Sequence, residues 1–336
     1  MSRGAFAALR PGAKGVLAGA LVCLLARVDV SAHEFSALIQ ARKYAEAEQA
    51  AIARLATDPR DAGALIARAE LIVAQGQENR LAEGVIFAEQ CIAAHPLKSE
   101  CHAVLGDVLG TKAMMGGLMS ALGYATKIRD AYKKAVELDP GNLDARFSLL
   151  QYFQQAPGIV GGGSGKAQDL ASDTAKINPD AGKLMQASIE LADKELTKAE
   201  ALALSANAMG NVTLLETQRT ILVGVGSLYA RDKKYADAQR VFSLIEKRYP
   251  ESYWGAYGQG RVLQEQNRHQ AALPFLERAL AVQAQAIVHY RVGQSLQALG
   301  DKARAIAAFE LALGFKPTLG KKMRSDAEDQ IKALKG

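Results

Sequence analysis

An all-α chain built from consecutive helical hairpins is the fold class this sequence predicts, on three observations. Ala-rich amphipathic runs recur along nearly its whole length. Six of the nine prolines stand between such runs, in "ATDPRD" (Pro59), "AAHPLK" (Pro96), "ELDPGN" (Pro140), "KINPDA" (Pro179), "KRYPES" (Pro250) and "GFKPTL" (Pro317). The distance from one boundary to the next is also nearly constant. Proline cannot continue a helix, and the Asp, Asn and Gly beside these prolines suit turns and helix caps. Aromatic residues are 6% of the chain against 49% hydrophobic, so the core must be packed largely with Ala and Leu.

The first segment is set apart from this pattern. Arg3, Arg10 and Lys14 precede the apolar run "GVLAGALVCLLA", and "VSA" follows with Ala32 and Val30 at the −1 and −3 positions. That is the layout of a secretory signal peptide over residues 1–32, cut before His33. The rival reading is a retained anchor, but a run of about twelve residues is too short to span a bilayer. A periplasmic or secreted protein with no stable membrane anchor is therefore expected. The formal charge is +6. Residues 1–32 hold Arg3, Arg10, Lys14 and Arg27 against Asp29. The rest is thus only mildly basic, which argues against a nucleic-acid partner.

Aligned on the prolines, repeats start near residues 28, 62, 99, 143, 182, 219, 253 and 286. The last supplies Gly293, Leu296, Ala305, Phe309, Ala312 and Pro317 at positions 8, 11, 20, 24, 27 and 32; the sixth supplies Gly226, Tyr229, Ala238, Phe242, Ile245 and Pro250; the seventh supplies Gly260, Leu263, Ala272, Leu276 and Ala279. Small residues at 8, 20 and 27 let two helices approach, and large ones at 11 and 24 fill the space between them. This pattern resembles the tetratricopeptide repeat (TPR), a helix–turn–helix unit of about 34 residues. The resemblance implies a right-handed superhelical solenoid of about eight hairpins over residues 33–320. Residues 321–336, with Met323, Ala327, Ile331 and Leu334 on one face, read as a C-terminal capping helix. Pro274 falls inside the second helix of the seventh repeat and should bend it.

The stretch "APGIVGGGSGKA" in the fourth repeat has the look of a phosphate loop. A Walker A motif needs Gly where Val160 stands and a hydroxyl where Ala167 stands, and it follows a strand rather than a helical run. The stretch is therefore read as an enlarged turn at residues 156–165. The third repeat is enlarged at the same place, around residues 110–126, by "TKAMMGGLMSALGYATK". Such turns share one edge of a solenoid. Met114, Met115 and Met119 should thus meet the Pro157–Gly163 loop in a Met-rich surface, or else both are tolerated loop growth.

Cys91 and Cys101 flank the Pro96 turn at equal distances. In an oxidising compartment a disulfide is the natural expectation. Free thiols and a metal site using His95 or His102 are the alternatives, the latter weakened because adjacent helical residues point about 100° apart. No Ser–His–Asp series, carboxylate pair or strand-borne nucleophile is apparent. No catalytic residue, metal site or cofactor is expected, and the chain is read as non-enzymatic.

In the TPR family, first-helix positions 2, 5, 9 and 12 line the concave groove. Carried over, they nominate Trp254, Tyr257, Arg261 and Gln264, then Ile287, Tyr290, Gln294 and Gln297. Earlier repeats contribute Glu100, Asp107, Asp144, Phe147, Gln151, Lys183, Gln186, Glu190 and Asp193. Trp, Tyr and Arg dominate binding hot spots, so the patch of Trp254, Tyr257, Arg261, Gln264, Tyr290, Gln294 and Gln297 is the expected partner-binding surface. The implied function is a scaffold that binds a protein or peptide; the alternative is a binder of envelope polysaccharide or peptidoglycan.

Overall fold

The computed structural model describes residues 30–315 and 319–336. The signal-peptide reading of the N-terminal segment, apart from Val30–Ala32, and the position of Pro317 lie outside the described residues. Eight helical hairpins follow one another: α1 (Val30–Gln40) with α2 (Tyr44–Thr57), α3 (Ala62–Ala74) with α4 (Leu81–Ala94), α5 (Ser99–Met115) with α6 (Gly117–Leu138), α7 (Leu143–Gln155) with α8 (Ser164–Ile177), α9 (Pro179–Ala192) with α10 (Leu196–Ser205), α11 (Val212–Arg231) with α12 (Tyr235–Arg248), α13 (Trp254–Glu265) with α14 (His269–Val282), and α15 (Ala286–Ala298) with α16 (Lys302–Gly314). Helix α17 (Lys321–Lys335) closes the stack. No strand occurs among the described residues, and none of their helices is long and apolar enough to cross a membrane.

The punctuation between hairpins works through the side chains beside the prolines. Asp61 accepts a hydrogen bond from the Ala64 amide, Asn142 from Ala145, and Asn178 from Asp180 and Ala181, with Pro179 opening α9. Each satisfies amides that a helix start leaves unpaired. Within hairpins the turn repeats at one register: Arg42, Gly76, Lys194, Lys233, Asn267 and Gly300 all adopt positive φ. The next amide then closes back onto the ending helix, as Lys234 N to Tyr229 O at 2.8 Å and Asp301 N to Leu296 O at 3.0 Å. Only two of these six are glycine, so this recurring left-handed turn carries little sequence signal.

The positions nominated for packing are the core. Ala238, Ala272 and Ala305 (position 20), Phe242, Leu276 and Phe309 (position 24), and Ile245, Ala279 and Ala312 (position 27) are all buried. The ring of Phe242 lies between α11 and α13. A Cβ built on Gly226 would stand 2.9 Å from its Cζ, and one on Gly258 only 2.0 Å from its Cδ1. Only glycine admits the ring this closely.

First helices contact one another along the stack, α1 with α3, α3 with α5, and so on to α15, while each second helix packs on its own partner and the next hairpin. Ion pairs reinforce some junctions. Arg80 joins Glu48 at 3.0 Å and Glu83 at 2.7 Å, and the Arg240 guanidinium grips the Glu200 carboxylate with both nitrogens.

Two details differ from expectation, and a third concerns Pro274. The third-repeat enlargement is helical, not a loop: α5 runs on to Met115 and α6 begins at Gly117, with a break only at Gly116. Ala, Leu, Met and Lys are good helix formers, so the extra residues lengthen both helices. Helix α11 starts at Val212, well before residue 219. Its extra turns are held because Gln218, fully buried, donates to the carbonyls of Ala203 and Ala206 and accepts from the Tyr249 hydroxyl. Helix α14 runs unbroken through Pro274, which sits on its exposed side.

Candidate functional site on the first-helix face

Two cavities open on the face built by the first helices of the N-terminal half. The larger, about 710 Å³, is walled mainly by apolar side chains of α3, α5, α6 and α7, among them Val73, Val104, Ala125 and Ile128. Met114, Pro157 and Val160 stand in its wall too. The two enlargements therefore share this cavity, and the second is held by Arg129 of α6 and Tyr152 of α7, which donate to Val160 O at 3.2 Å and 2.7 Å. Met115 and Met119 lie on the exposed edge beside it, where Met119 is 80% accessible.

The smaller cavity, about 370 Å³, shares Glu70, Val104, Asp107, Ser148 and Gln151 with the larger. Glu100, Asp144, Phe147 and Glu216 complete its chemistry. Among the described residues, no Lys, Arg or His lines either cavity. Tyr132 donates to Asp107 at 2.8 Å and Thr213 to Asp144 at 2.9 Å. These hydroxyls satisfy lone pairs without cancelling charge. Glu216 has a cationic neighbour, Arg219, at 3.9 Å. Among the described residues, Glu70 makes no hydrogen bond or ion pair. Burial, with the charges of Asp107 and Asp144, pushes its pKa up to about 7. Asp107 rises to about 6, chiefly from burial, with Asp144 adding to it and Tyr132 opposing. Both keep some solvent access through the cavities they line, while surrounding protein atoms desolvate them.

The glycine stretch turns the chain against α6 and α7. Gly161 and Gly163 take φ of +93° and +133°, and a Cβ on Gly162 would stand 1.8 Å from the Ala156 carbonyl oxygen. Lys166 donates to the Gly161 carbonyl at 3.0 Å.

The nominated patch at the C-terminal end is occupied by the protein itself. Tyr257, Gln264 and Tyr290 are buried, and Trp254, Arg261, Gln294 and Gln297 are half-buried. Trp254 stacks on Tyr253 with centroids 4.7 Å apart. Arg261 pairs with Glu265 at 2.9 Å. Gln264 donates to Arg291 O and Ser295 Oγ, Gln294 donates to the Tyr290 hydroxyl, and that hydroxyl donates to Asp326 of α17. Gln297 bonds Gln330, also on α17. At the end of the stack, Asp326 and Gln330 of the capping helix thus engage Tyr290 and Gln297, while Tyr253 and Glu265 engage Trp254 and Arg261.

Cys91 of α4 and Cys101 of α5 are fully buried, with Cα atoms 5.5 Å apart and sulfurs at bonding distance, 1.98 Å. His95 and His102 turn away to the carbonyls of Arg60 (2.6 Å) and Pro96 (3.0 Å). No group of three or more His, Cys, Asp or Glu able to hold a metal occurs among the described residues.

Groove register named Glu100, Asp107, Asp144, Phe147 and Gln151, and the structure gathers all five into the cavities. It missed Glu70 and Val73. They occupy positions 9 and 12 of the second repeat, and the same register extended one repeat earlier finds them. Tyr132 and Ser148 follow no such rule.

Residues 286–319 match the tetratricopeptide repeat family model. Similar solved structures include a tetratricopeptide repeat protein from Parabacteroides merdae, at 13% identity over 92% of this chain and 98% of that one, TM-score 0.42. Pseudomonas aeruginosa pilF aligns at 16% identity over 69% of this chain and 97% of its own, TM-score 0.42. A chain of the anaphase-promoting complex hetero-tetramer Cut9–Hcn1 aligns at 16% over 87% of this chain and 52% of that one, about half its length, TM-score 0.44. No curated protein matches the sequence. The last hairpin thus matches a tetratricopeptide repeat, the two hairpins before it bury the same small–large register, and the described residues form an all-α helical repeat.

Proposed function

We propose that this protein is a non-enzymatic scaffold, exported to the periplasm or beyond through its N-terminal segment, that holds a protein or peptide partner on its first-helix face. The repeat fold is that of a protein-interaction scaffold. The observation that carries the choice of surface is the pair of connected cavities, together large enough to bury several side chains of a partner. The C-terminal aromatic patch ranks second, since its side chains are already engaged. The same engagement weakens the polysaccharide reading, which needs exposed aromatic platforms.

Gly110 offers a clean test. It lines the larger cavity, and a Cβ there meets only the Tyr132 hydroxyl at 3.8 Å. Gly110→Leu should fill the cavity without disturbing the helix. Affinity purification from the cell envelope should recover a protein with the wild type and lose it with Gly110→Leu. Recovery of glycan instead, or of the same protein with both, would overturn the assignment.

Export also favours a bonded Cys91–Cys101 pair, which closes a loop of sequence separation 10. A bond of that span contributes about 2–3 kcal/mol in the chain-entropy account. Non-reducing peptide mapping of protein isolated from the envelope should show one linked peptide, and reduction should lower the denaturation midpoint accordingly. Two alkylatable thiols would rule the bond out.

A further inference from the structure

We propose that the two cavities form one elongated site for an extended peptide segment, an apolar side chain entering the larger and an adjacent lysine or arginine the smaller. This rests on the scaffold reading above and specifies its ligand.

Charge carries the first half of the argument. Glu70, Glu100, Asp107 and Asp144 converge where, among the described residues, no basic side chain lines the wall, and the side-chain hydrogen-bond partners of Asp107 and Asp144 there are hydroxyls alone. Glu70 lies where the cavities join and has no hydrogen-bond or ion-pair partner among the described residues. An ionised carboxylate so placed is costly until a cation reaches it. A bound ammonium or guanidinium supplies that cation, whereas an acidic segment is repelled by all four.

Shape and polarity carry the second half. The larger cavity has a mainly apolar wall, with flexible Met114 in its lining to adjust to different side chains. Its volume exceeds one side chain, and the shared residues Glu70, Val104, Asp107, Ser148 and Gln151 make the two spaces continuous. Gln151 and Thr217 face the smaller cavity with an amide and a hydroxyl that no side-chain hydrogen bond uses, the groups that meet a peptide backbone. A small amine would leave most of this length empty.

The test uses capped, fluorescein-labelled hexapeptides with leucine or phenylalanine at the third position and lysine, glutamine or glutamate at the fourth, read by anisotropy. The lysine peptides should bind at least tenfold more tightly than the glutamine peptides, and the glutamate peptides should not bind. Gly110→Leu should weaken the lysine peptides at least tenfold. Glu100→Gln with Asp144→Asn should reduce them to the level of the glutamine peptides, with circular dichroism unchanged in both variants. No preference for lysine, or a preference that survives the double variant, would overturn the proposal. So would n-hexylamine competing as tightly as the peptides, which would make this a small-amine pocket. If the partner captured from the envelope still depends on Gly110 while lysine peptides fail, the scaffold reading stands and only the ligand assignment falls.

Discussion

Raising the pH from 5 to 8 is expected to destabilise this protein through Glu70 and Asp107. Their folded-state pKa values, about 7 and about 6, lie above the ordinary carboxylate values of 4.5 and 3.8. Between those limits the folded state binds more protons than the unfolded one. Stability is therefore fully present below the unfolded values and declines as pH rises through the folded ones. One pKa unit corresponds to about 1.4 kcal/mol. With cavity access and mutual coupling discounted, the pair should cost about 2 kcal/mol by pH 8. His289 works the other way, because burial lowers its pKa and it stabilises as pH rises. The clean quantity is therefore the difference between wild type and Glu70→Gln in urea denaturation across this range. Glu70→Gln should gain stability at pH 8 and flatten the decline. An unchanged slope in that variant would show that Glu70 is not the source. Cation binding should oppose the same trend: lysine peptides pair with the ionised carboxylates, so their affinity should rise with pH from 5 to 8.

The second large effect is expected at Phe242. Its ring, 1% exposed, fills the space left by Gly226 and Gly258 and so holds hairpin six to hairpin seven. Phe242→Ala should cost about 3–5 kcal/mol, the usual range for emptying a buried aromatic site. In a stacked repeat the loss is felt at the junction as well as within one unit. Trp254, the single tryptophan of the chain, packs against the hydrophobic clusters on both sides of that junction. Its fluorescence should therefore change at lower denaturant than far-ultraviolet circular dichroism in Phe242→Ala, while the two signals coincide in the wild type. A loss below about 1 kcal/mol, or coincident transitions in the variant, would refute this account of the junction.

What the amino-acid sequence determined by itself is whatever each hairpin settles locally. Prolines with Asp or Asn beside them end one helix and cap the next, which is why starts at 62 and 143 agree with the first residues of α3 and α7. The starts at 99 and 286, which lack such a cap, agree with α5 and α15 through the repeat spacing. Small and large residues at fixed register decide how two helices meet, so Ala238, Phe242 and Ile245 were legible as core before any coordinates. The turn residues Arg42, Lys194, Lys233 and Asn267 were not, because their left-handed backbone is imposed by helix closure rather than by a glycine.

Exposure along the groove register was decided by tertiary structure alone. Trp254, Tyr257 and Tyr290 occupy the same kind of position as Glu100, Asp144 and Phe147. The former are covered by neighbouring aromatics and, for Tyr290, by α17; the latter face the cavities. The length of α5 and α6 likewise turned a presumed loop into a wall, and placed Tyr132 beside Asp107. A repeat pattern states which side of a helix a residue occupies. Whether that side meets solvent, a cavity or another helix depends on elements distant in sequence, and only their packing decides it.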